Sequence, residues 1–579
     1  MCADCGCQLS APAGRGLLSK VELIKSRSLG LRGSLAQEVA LDTPAFSEEA
    51  VQILKFHGVY QQDDRDLRKE ARSRGLEKHH QMMIRTRIPG GVLSAESYLA
   101  HDGIAERWGN ATLRVTTRQD FQLHGVLKGD LRASLRAINA ALLSTLGGCG
   151  DQARNIMCCP APERDRLGRE VAEVLSGLAV GLLPATSAYH EIWIDGELIK
   201  TARREPEPEP EPLYGSSYLP RKFKTAVALE GDNCVDVYSN DLGLVARRDA
   251  SGGLAGFDVL VGGGLGRTHN KPDTFAAVAQ SLGFIPPSGA LELTQAVIRV
   301  HRDHGDRSDR RHARLKYLIH RRGLSWFKAR VEEQLTFPLG PSRALPWEPV
   351  DDHLGWHEEG DGAWFLGLFV ENGRICDVPG HALRTALAEI VARFRPQIRL
   401  TAQQNLILAH LGAQDRRQVD GILRAHGVGS AMDLPSALRH SMACPAWPTC
   451  GLAVAESERV LPELIRGLAG MLDELGLSQV RISFRMTGCP NGCARPYLGD
   501  VGFVGTTLGK YDVFLGGDFE GTRLNQIYAH NVPLEDIPEL LRGPLLAFSH
   551  ERVHDQGFGD WCHQVGLERL RSRCGAGAV

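Results

Sequence analysis

The sequence predicts an α+β fold laid out as a decayed duplication, A–B–A′–B′, with a small and a large unit each occurring twice. Three observations carry this. LRVTTRQDFQLHG at 113–125 matches IRLTAQQNLILAH at 398–410 without a gap, setting Arg114 on Arg399, Thr116 on Thr401, Gln119 on Gln404 and Leu123 on Leu408. DVLVGG at 258–263 matches DVFLGG at 512–517, in the same order along the chain. A length of 579 residues also exceeds what one hydrophobic core supports. A repeat of this kind closes as a pseudo-twofold fold with a site at its seam.

The A units read as strands. In 113–124, Leu113, Val115, Phe121 and Leu123 share one face, and Arg114, Thr116, Arg118, Gln122 and His124 share the other. In the second copy Gln122 and His124 have become Ile407 and Ala409, so one active site is expected, built on the first copy. The Glu-Pro repeat within 204–214 predicts a solvated polyproline II spacer. The stretch 452–476 has apolar residues at helical spacing, with Pro462 a potential kink, and is expected to pack behind the first cysteine pair.

Composition narrows the function classes. Hydrophobic content of 43% and charged content of 23% are ordinary for a soluble globular chain. A formal net charge of −2 gives no overall field for nucleic acid or membrane. No apolar run approaches the ~18 residues that span a bilayer, and the first twenty residues lack a signal-peptide core. A cytoplasmic, reducing location is expected, which suits fourteen cysteines. Cys2, Cys5 and Cys7 crowd a start that is expected to fray.

Four later cysteines carry the most chemistry. Cys444 and Cys450 lie in ACPAWPTC as C-x5-C, and Cys489 and Cys493 lie in TGCPNGCARPY as C-x3-C. Four thiolates suit a cubane iron–sulfur cluster, one per iron. Structural zinc prefers tighter knuckles, and disulfides need an oxidising compartment. Spacing alone leaves cluster and zinc both open.

Basic residues gather in short segments: Arg85 and Arg87 in MIRTRIPGG, Arg118, Gln122 and His124 in TTRQDFQLHG, Arg154 and Asn155 in ARNIM, Arg221, Lys222 and Lys224 in PRKFK, and Arg310, Arg314 and Lys316 within 305–318. The last segment by itself reads as a solvated face. PRKFK differs, because its lysines flank Phe223 next to an apolar run, and such lysines must meet anions or shift their pKa. VGGGLGR at 261–267 fits a dinucleotide-binding turn poorly, so no nicotinamide site is expected.

From about Lys20 to about Arg571 the chain resembles the siroheme-dependent sulfite and nitrite reductases. That resemblance implies ferredoxin-like A units and larger mixed α/β B units around siroheme. The boundaries expected are an extension at 1–74, half domains at 75–145 and 346–425, and siroheme- and cluster-binding domains at 146–345 and 426–579. It implies that Cys444, Cys450, Cys489 and Cys493 hold a [4Fe–4S] cluster and that Cys493 also ligates the siroheme iron. It places sulfite on Arg87, Arg154, Lys222 and Lys224, with Arg85 as runner-up for the first. Siroheme contacts are implied for Arg85, Arg118, Gln122, His124, Asn155, Arg221, Arg310, Arg314 and Lys316, and Gly262, Gly263 and Gly264 would let backbone approach the macrocycle. Lys224 favours sulfite over nitrite, whose reductases tend to carry Asn there. Electrons are expected from ferredoxin or a partner NADPH flavoprotein. Some relatives carry a Tyr–Cys crosslink built from residues placed like Tyr60 and Cys158 or Cys159, although a free buried cysteine is the simpler expectation here.

Overall fold

Two short strands leave their own half of the molecule to complete the other, and this exchange holds the duplication together. The computed structural model describes residues 18–162, 165–186, 188, 193–194, 197–198, 211–348, 352–360 and 362–574. Cys2, Cys5, Cys7 and most of the Glu-Pro repeat lie outside the described residues.

The first small sheet is antiparallel, in the order Val59–Asp63, His80–Arg85, Phe121–Val126, Leu113–Val115, Arg374–Ile375. The second repeats it with Gly355–Gly360, Ala363–Leu368, Leu406–Gly412, Gln397–Leu400, Val92–Leu93. Each fifth strand comes from the opposite half. Helices Ala95–Trp108 and Leu383–Phe394 follow the exchanged strands and pack on each other, so both halves share one core that includes Tyr98, Phe121, Leu387 and Ile398. The copies agree at the level of single bonds. Thr116 Oγ1 accepts from Arg118 N and Asp120 N, as Thr401 Oγ1 does from Gln403 N and Asn405 N. Gln119 and Gln404 both turn through positive φ.

The large units share a second topology. In the first, Ala153–Cys158, Phe223–Leu229 and Leu242–Arg248 run parallel, then Leu254–Val261 and Gln280–Ile285 follow antiparallel. In the second, Ser441–Ala443, Phe484–Thr487 and Val501–Thr507 run parallel, with Lys510–Leu515 and Gln526–Pro533 antiparallel. Lys224 N donates to Asp241 Oδ2 and Ser483 N to Asp500 Oδ2, each at 2.9 Å, which fixes the register between the copies.

One expectation is corrected. The helix near the first cysteine pair spans only Leu461–Glu474, and Pro462 sits in its first turn, where an N–H would lack a partner anyway, so no kink results. The helix does pack on the strand that leads into Cys444.

At the seam, Glu458 joins the halves. Its carboxylate takes Arg114 from the first small sheet and Arg374 (2.7 Å) from the exchanged strand. Arg114 also donates to Ala443 O at 2.8 Å, directly before Cys444. The two arginines hold the Glu458 carboxyl down to about 2 against the opposing effect of burial.

Two predictions follow from this seam. Gly91 (φ +73) and Gly373 (φ +76) are symmetry mates at the exchange points, where a Cβ would fall 2.5 Å from Leu400 O and 2.3 Å from Val115 O respectively. Gly91→Ala and Gly373→Ala should each destabilise by roughly 2–4 kcal/mol. Gly380→Ala, with φ +78 but open space around it, should cost only about 1 kcal/mol. Equal losses at all three in thermal unfolding would contradict the close-approach argument. Glu458→Gln should cost about 3–5 kcal/mol near neutral pH, because it leaves buried guanidinium charge unmatched. The depressed carboxyl contributes stability in full above its ordinary value of 4.5 and loses it as pH falls toward about 2. The wild type should therefore lose more stability than Glu458→Gln across that window in pH-dependent unfolding.

Candidate functional site

The four cysteines converge from two loops of the second large unit. Cys444 stands one residue beyond the strand Ser441–Ala443, and Cys489 and Cys493 follow the strand Phe484–Thr487. Gly488 N donates to Cys444 Sγ and Asn491 Nδ2 to Cys489 Sγ, each at 3.4 Å. Arg65 stacks on Trp447 at 3.6 Å and donates to Cys450 O at 3.1 Å, tying the N-terminal extension to the first loop. Burial pushes the Cys444, Cys450 and Cys489 thiols up, and the neighbouring Cys493 pushes them further. The four are close enough to feel one another, yet no three of their sulfurs lie within 4.8 Å of one another. A tetrahedral zinc with bonds near 2.3 Å would draw its sulfurs to roughly 3.8 Å. The set is too wide for one zinc ion and suits a larger cluster, which resolves the alternative that spacing had left open.

Cys493 differs from the other three because it is exposed. Its carbonyl accepts from Thr117 Oγ1 at 2.9 Å, which brings the turn of the first small unit onto the cluster loop. Arg85, Lys222 and Lys224 all lie within the electrostatic reach of Cys493. Lys222 and Lys224 flank the buried Phe223 at the start of their strand, so alternation sends Phe223 into the core and both ammonium groups to the opposite face. Neither ammonium group has a hydrogen bond or ion pair among the described residues. Burial and nearby cations hold both well below the ordinary lysine range: Arg154, Arg221 and Arg314 act on Lys222, and Arg118, Lys222 and Arg314 act on Lys224. Arg154 adds a guanidinium held by Gly150 O at 3.3 Å.

Other expected residues are placed differently. Arg87 donates to Ala179 O at 2.8 Å, and its titratable neighbours are Tyr214 and Asp120, not Cys493. Arg85 therefore takes the position facing the exposed sulfur, and the Gln122 amide oxygen accepts from it. Arg118 is spent on Asn240 Oδ1 (2.9 Å), Asn155 O and Thr225 O. Asn155 donates to Ile88 O at 2.7 Å and leaves its own Oδ1 unpaired. His124 lies beside Arg374, Arg114 and Glu458. Burial and the two arginines keep it neutral, and neither ring nitrogen has a partner among the described residues.

The segment 305–318 is corrected from a free cationic face to a scaffold. Arg310 pairs with Asp151 at 2.8 Å and Arg314 with Asp241 at 2.8 Å, while Lys316 donates to Gly264 O, Gly266 O and Phe275 O. Arg221 lies 3.8 Å from Asp151. The glycine run is likewise explained by the protein's own atoms. A Cβ would meet Ile319 at Gly262, Tyr238 O at 2.1 Å at Gly263 and Arg314 at Gly264. Arg267 N then donates to Pro490 O at 2.8 Å, so the run braces the cluster loop. Tyr60 adjoins Cys149, which also accepts from Arg85 at 3.2 Å, rather than Cys158 or Cys159. Asp151, Asp241, Glu458 and Cys149 escaped sequence reasoning. Only Asp241 left a trace there, through its match to Asp500 one residue before the equivalent strand.

Comparison with known proteins agrees with this geometry. Residues 177–339 and 435–577 match the family described as Nitrite and sulphite reductase 4Fe-4S domain, and residues 74–141 and 357–426 match the Nitrite/Sulfite reductase ferredoxin-like half domain. The chain is 45% identical to "Sulfite reductase [ferredoxin]" of Synechococcus elongatus, covering 97% of this chain and 92% of that one. It is 44% identical to "Sulfite reductase [NADPH] hemoprotein beta-component" of Staphylococcus saprophyticus, covering 95% and 96%. In fold it is similar to the solved Mycobacterium tuberculosis NirA protein, with a TM-score of 0.76 at 24% identity over 96% of this chain and 98% of that one. The chain belongs to the nitrite and sulphite reductase family.

Proposed function

We propose that this chain is an assimilatory sulfite reductase that takes sulfite to sulfide with six electrons. The observation that carries the reading is an exposed cluster cysteine, Cys493, facing two ammonium groups, Lys222 and Lys224, that have no anion of their own. Half-buried cations in that state draw a counter-charge from a ligand. Siroheme, a polycarboxylate, fits that demand, and among the described residues Arg118 Nε and Asn155 Oδ1 are further buried polar atoms without partners. The [4Fe–4S] cluster would be held by Cys444, Cys450, Cys489 and Cys493, and Cys493, the exposed one of the four, would also help to hold siroheme.

When bound, siroheme and the cluster supply the electrons and a metal that takes sulfur. The protein supplies charge and protons. Arg85, Arg154, Lys222 and Lys224 would bind the oxyanion and stabilise the negative charge that grows as S–O bonds break. Each oxygen leaves as water, so protons must arrive at the same face. Nζ of Lys222 and Lys224, poised below the ordinary lysine range, can give up a proton more readily than a free lysine and regain it from solvent. Arg310, Arg314 and Arg221 would hold that face in place through Asp151 and Asp241.

The donor would be an external protein, either a ferredoxin or an NADPH-oxidising flavoprotein, since relatives named for each match nearly full length. We favour ferredoxin. Reaction in the cytoplasm accords with the described residues, among which no helix is long and apolar enough to cross a membrane.

The competing reading is nitrite reduction, and Lys224 separates the two. Lys224→Asn should lower kcat/KM for sulfite and raise the nitrite-to-sulfite ratio by about tenfold or more, the scale of one lost charge-assisted contact. An unchanged ratio would remove the argument for sulfite. The purified protein should show Soret and long-wavelength absorption bands, and a colourless, iron-free product from a host that makes siroheme would overturn the assignment.

A further inference from the structure

We propose that Cys159, Asp232, Cys234 and His353 form a mononuclear metal site, suited to zinc, at the position in the first large unit that the cluster cysteines occupy in the second. Their ligand atoms all lie within 4.8 Å of one another, and they are the only such group among the described residues.

The duplication places them. Cys159 stands one residue beyond the strand Ala153–Cys158, as Cys444 stands one residue beyond Ser441–Ala443. In the neighbouring strands Lys224 and Ser483 are equivalent, because each donates its N–H to the same aspartate position. Ten residues further on in each copy stand Cys234 and Cys493. Two sulfurs of the proposed site are therefore the register mates of two cluster ligands. In place of the other two cluster cysteines stand the Asp232 carboxylate and, from the linker that follows the first large unit, the His353 imidazole.

The local geometry is that of a small ion. Asp232 Oδ1 is occupied by Cys234 N at 2.7 Å, which leaves Oδ2 to face the group. That oxygen lies 2.9 Å from Cys159 Sγ and 3.3 Å from His353 Nε2, and Cys159 Sγ lies 3.7 Å from the same nitrogen. Bonds of about 2.3 Å to sulfur and 2.0–2.2 Å to nitrogen or oxygen give a tetrahedron with edges of roughly 3.3–3.8 Å. Two of the three distances already lie in that range, and the third needs a shift of about half an ångström. Cys159 and Cys234 are buried, whereas the side chains of Asp232 and His353 are each 17% exposed, so an ion can reach the group from solvent. Asp352 and His353 both adopt positive φ, and Asp352 is fixed by Thr401 Oγ1 and Asn405 Nδ2 at 2.7 Å each. The backbone that presents the imidazole is thus held in an unfavourable conformation by the second small unit. A metal here would clamp the linker between the large and small units to the first large sheet.

Two thiolates, a carboxylate and an imidazole are a borderline-soft set, which suits zinc. Their closed, four-ligand arrangement describes a structural ion with no open position for substrate.

The test uses the full-length enzyme with its cofactors, purified from zinc-replete medium. Elemental analysis should find about one zinc per chain besides the iron. Zinc-edge X-ray absorption should show two sulfur neighbours near 2.3 Å and two lighter ones near 2.0–2.2 Å. Cys234→Ser should lower zinc at least tenfold while iron content stays unchanged. The wild-type measurement stands by itself if that variant does not fold. Zinc below a tenth of an equivalent overturns the proposal. Four sulfur neighbours would put the ion at the cluster cysteines instead, and a reductant-reversible mass deficit of two hydrogens would show a Cys159–Cys234 disulfide. Either result also overturns it.

Discussion

Unmatched positive charge beside an exposed thiol is the constraint on which the rest of this structure depends. Lys222 and Lys224 are surrounded by arginines, and their ammonium groups pair with no carboxylate among the described residues, yet the fold holds them there. The arginines behind them are paired: Arg310 and Arg221 share Asp151, and Arg314 has Asp241. A layer of paired arginines thus stands behind lysines that have no such partner. An anionic ligand stabilises such a face, and its cations act on whatever binds next to Cys493.

The second copy shows what the same scaffold becomes without that demand. Lys224 is replaced by Ser483 and Arg118 by Gln403. Arg485 and Arg495 both pair with Asp236, which reaches across from the first large unit, the former at 2.7 Å. Ser483, Gln403, Arg485 and Asp236 line a small cavity instead of a charged face. The duplication has therefore divided its labour. The first copy supplies the cationic wall, the second supplies the cysteines, and the exchanged strands with Glu458 bring the two against each other.

The sequence made the architecture legible because the repeat is preserved where backbone geometry depends on it. Thr116 and Thr401 close identical turns, and Gln119 and Gln404 take identical positive φ. The cysteines and the PRKFK lysines were legible for a similar reason, since local spacing fixes which way they point. Contacts between distant segments were not legible. Choosing Arg85 over Arg87 requires knowing that the Arg87 guanidinium reaches Ala179 O, ninety-two residues away in sequence. The roles of Arg310, Arg314 and Lys316 depend on Asp151, Asp241 and three carbonyls of the glycine segment, none of them neighbours in the chain. The glycines themselves looked like a cradle for a ligand, but their missing side chains make room for Tyr238 O, Ile319 and Arg314.

The account's central claim is that the Cys493 sulfur joins the cluster to the siroheme iron. Mössbauer spectroscopy of the oxidised, iron-57-enriched enzyme tests it directly. A diamagnetic cluster bonded through sulfur to a paramagnetic iron acquires magnetic splitting at its own irons, and the account predicts that splitting in an applied field. Cluster irons that show only the unsplit doublets of an isolated diamagnetic cube, in enzyme that carries siroheme in full, would contradict it.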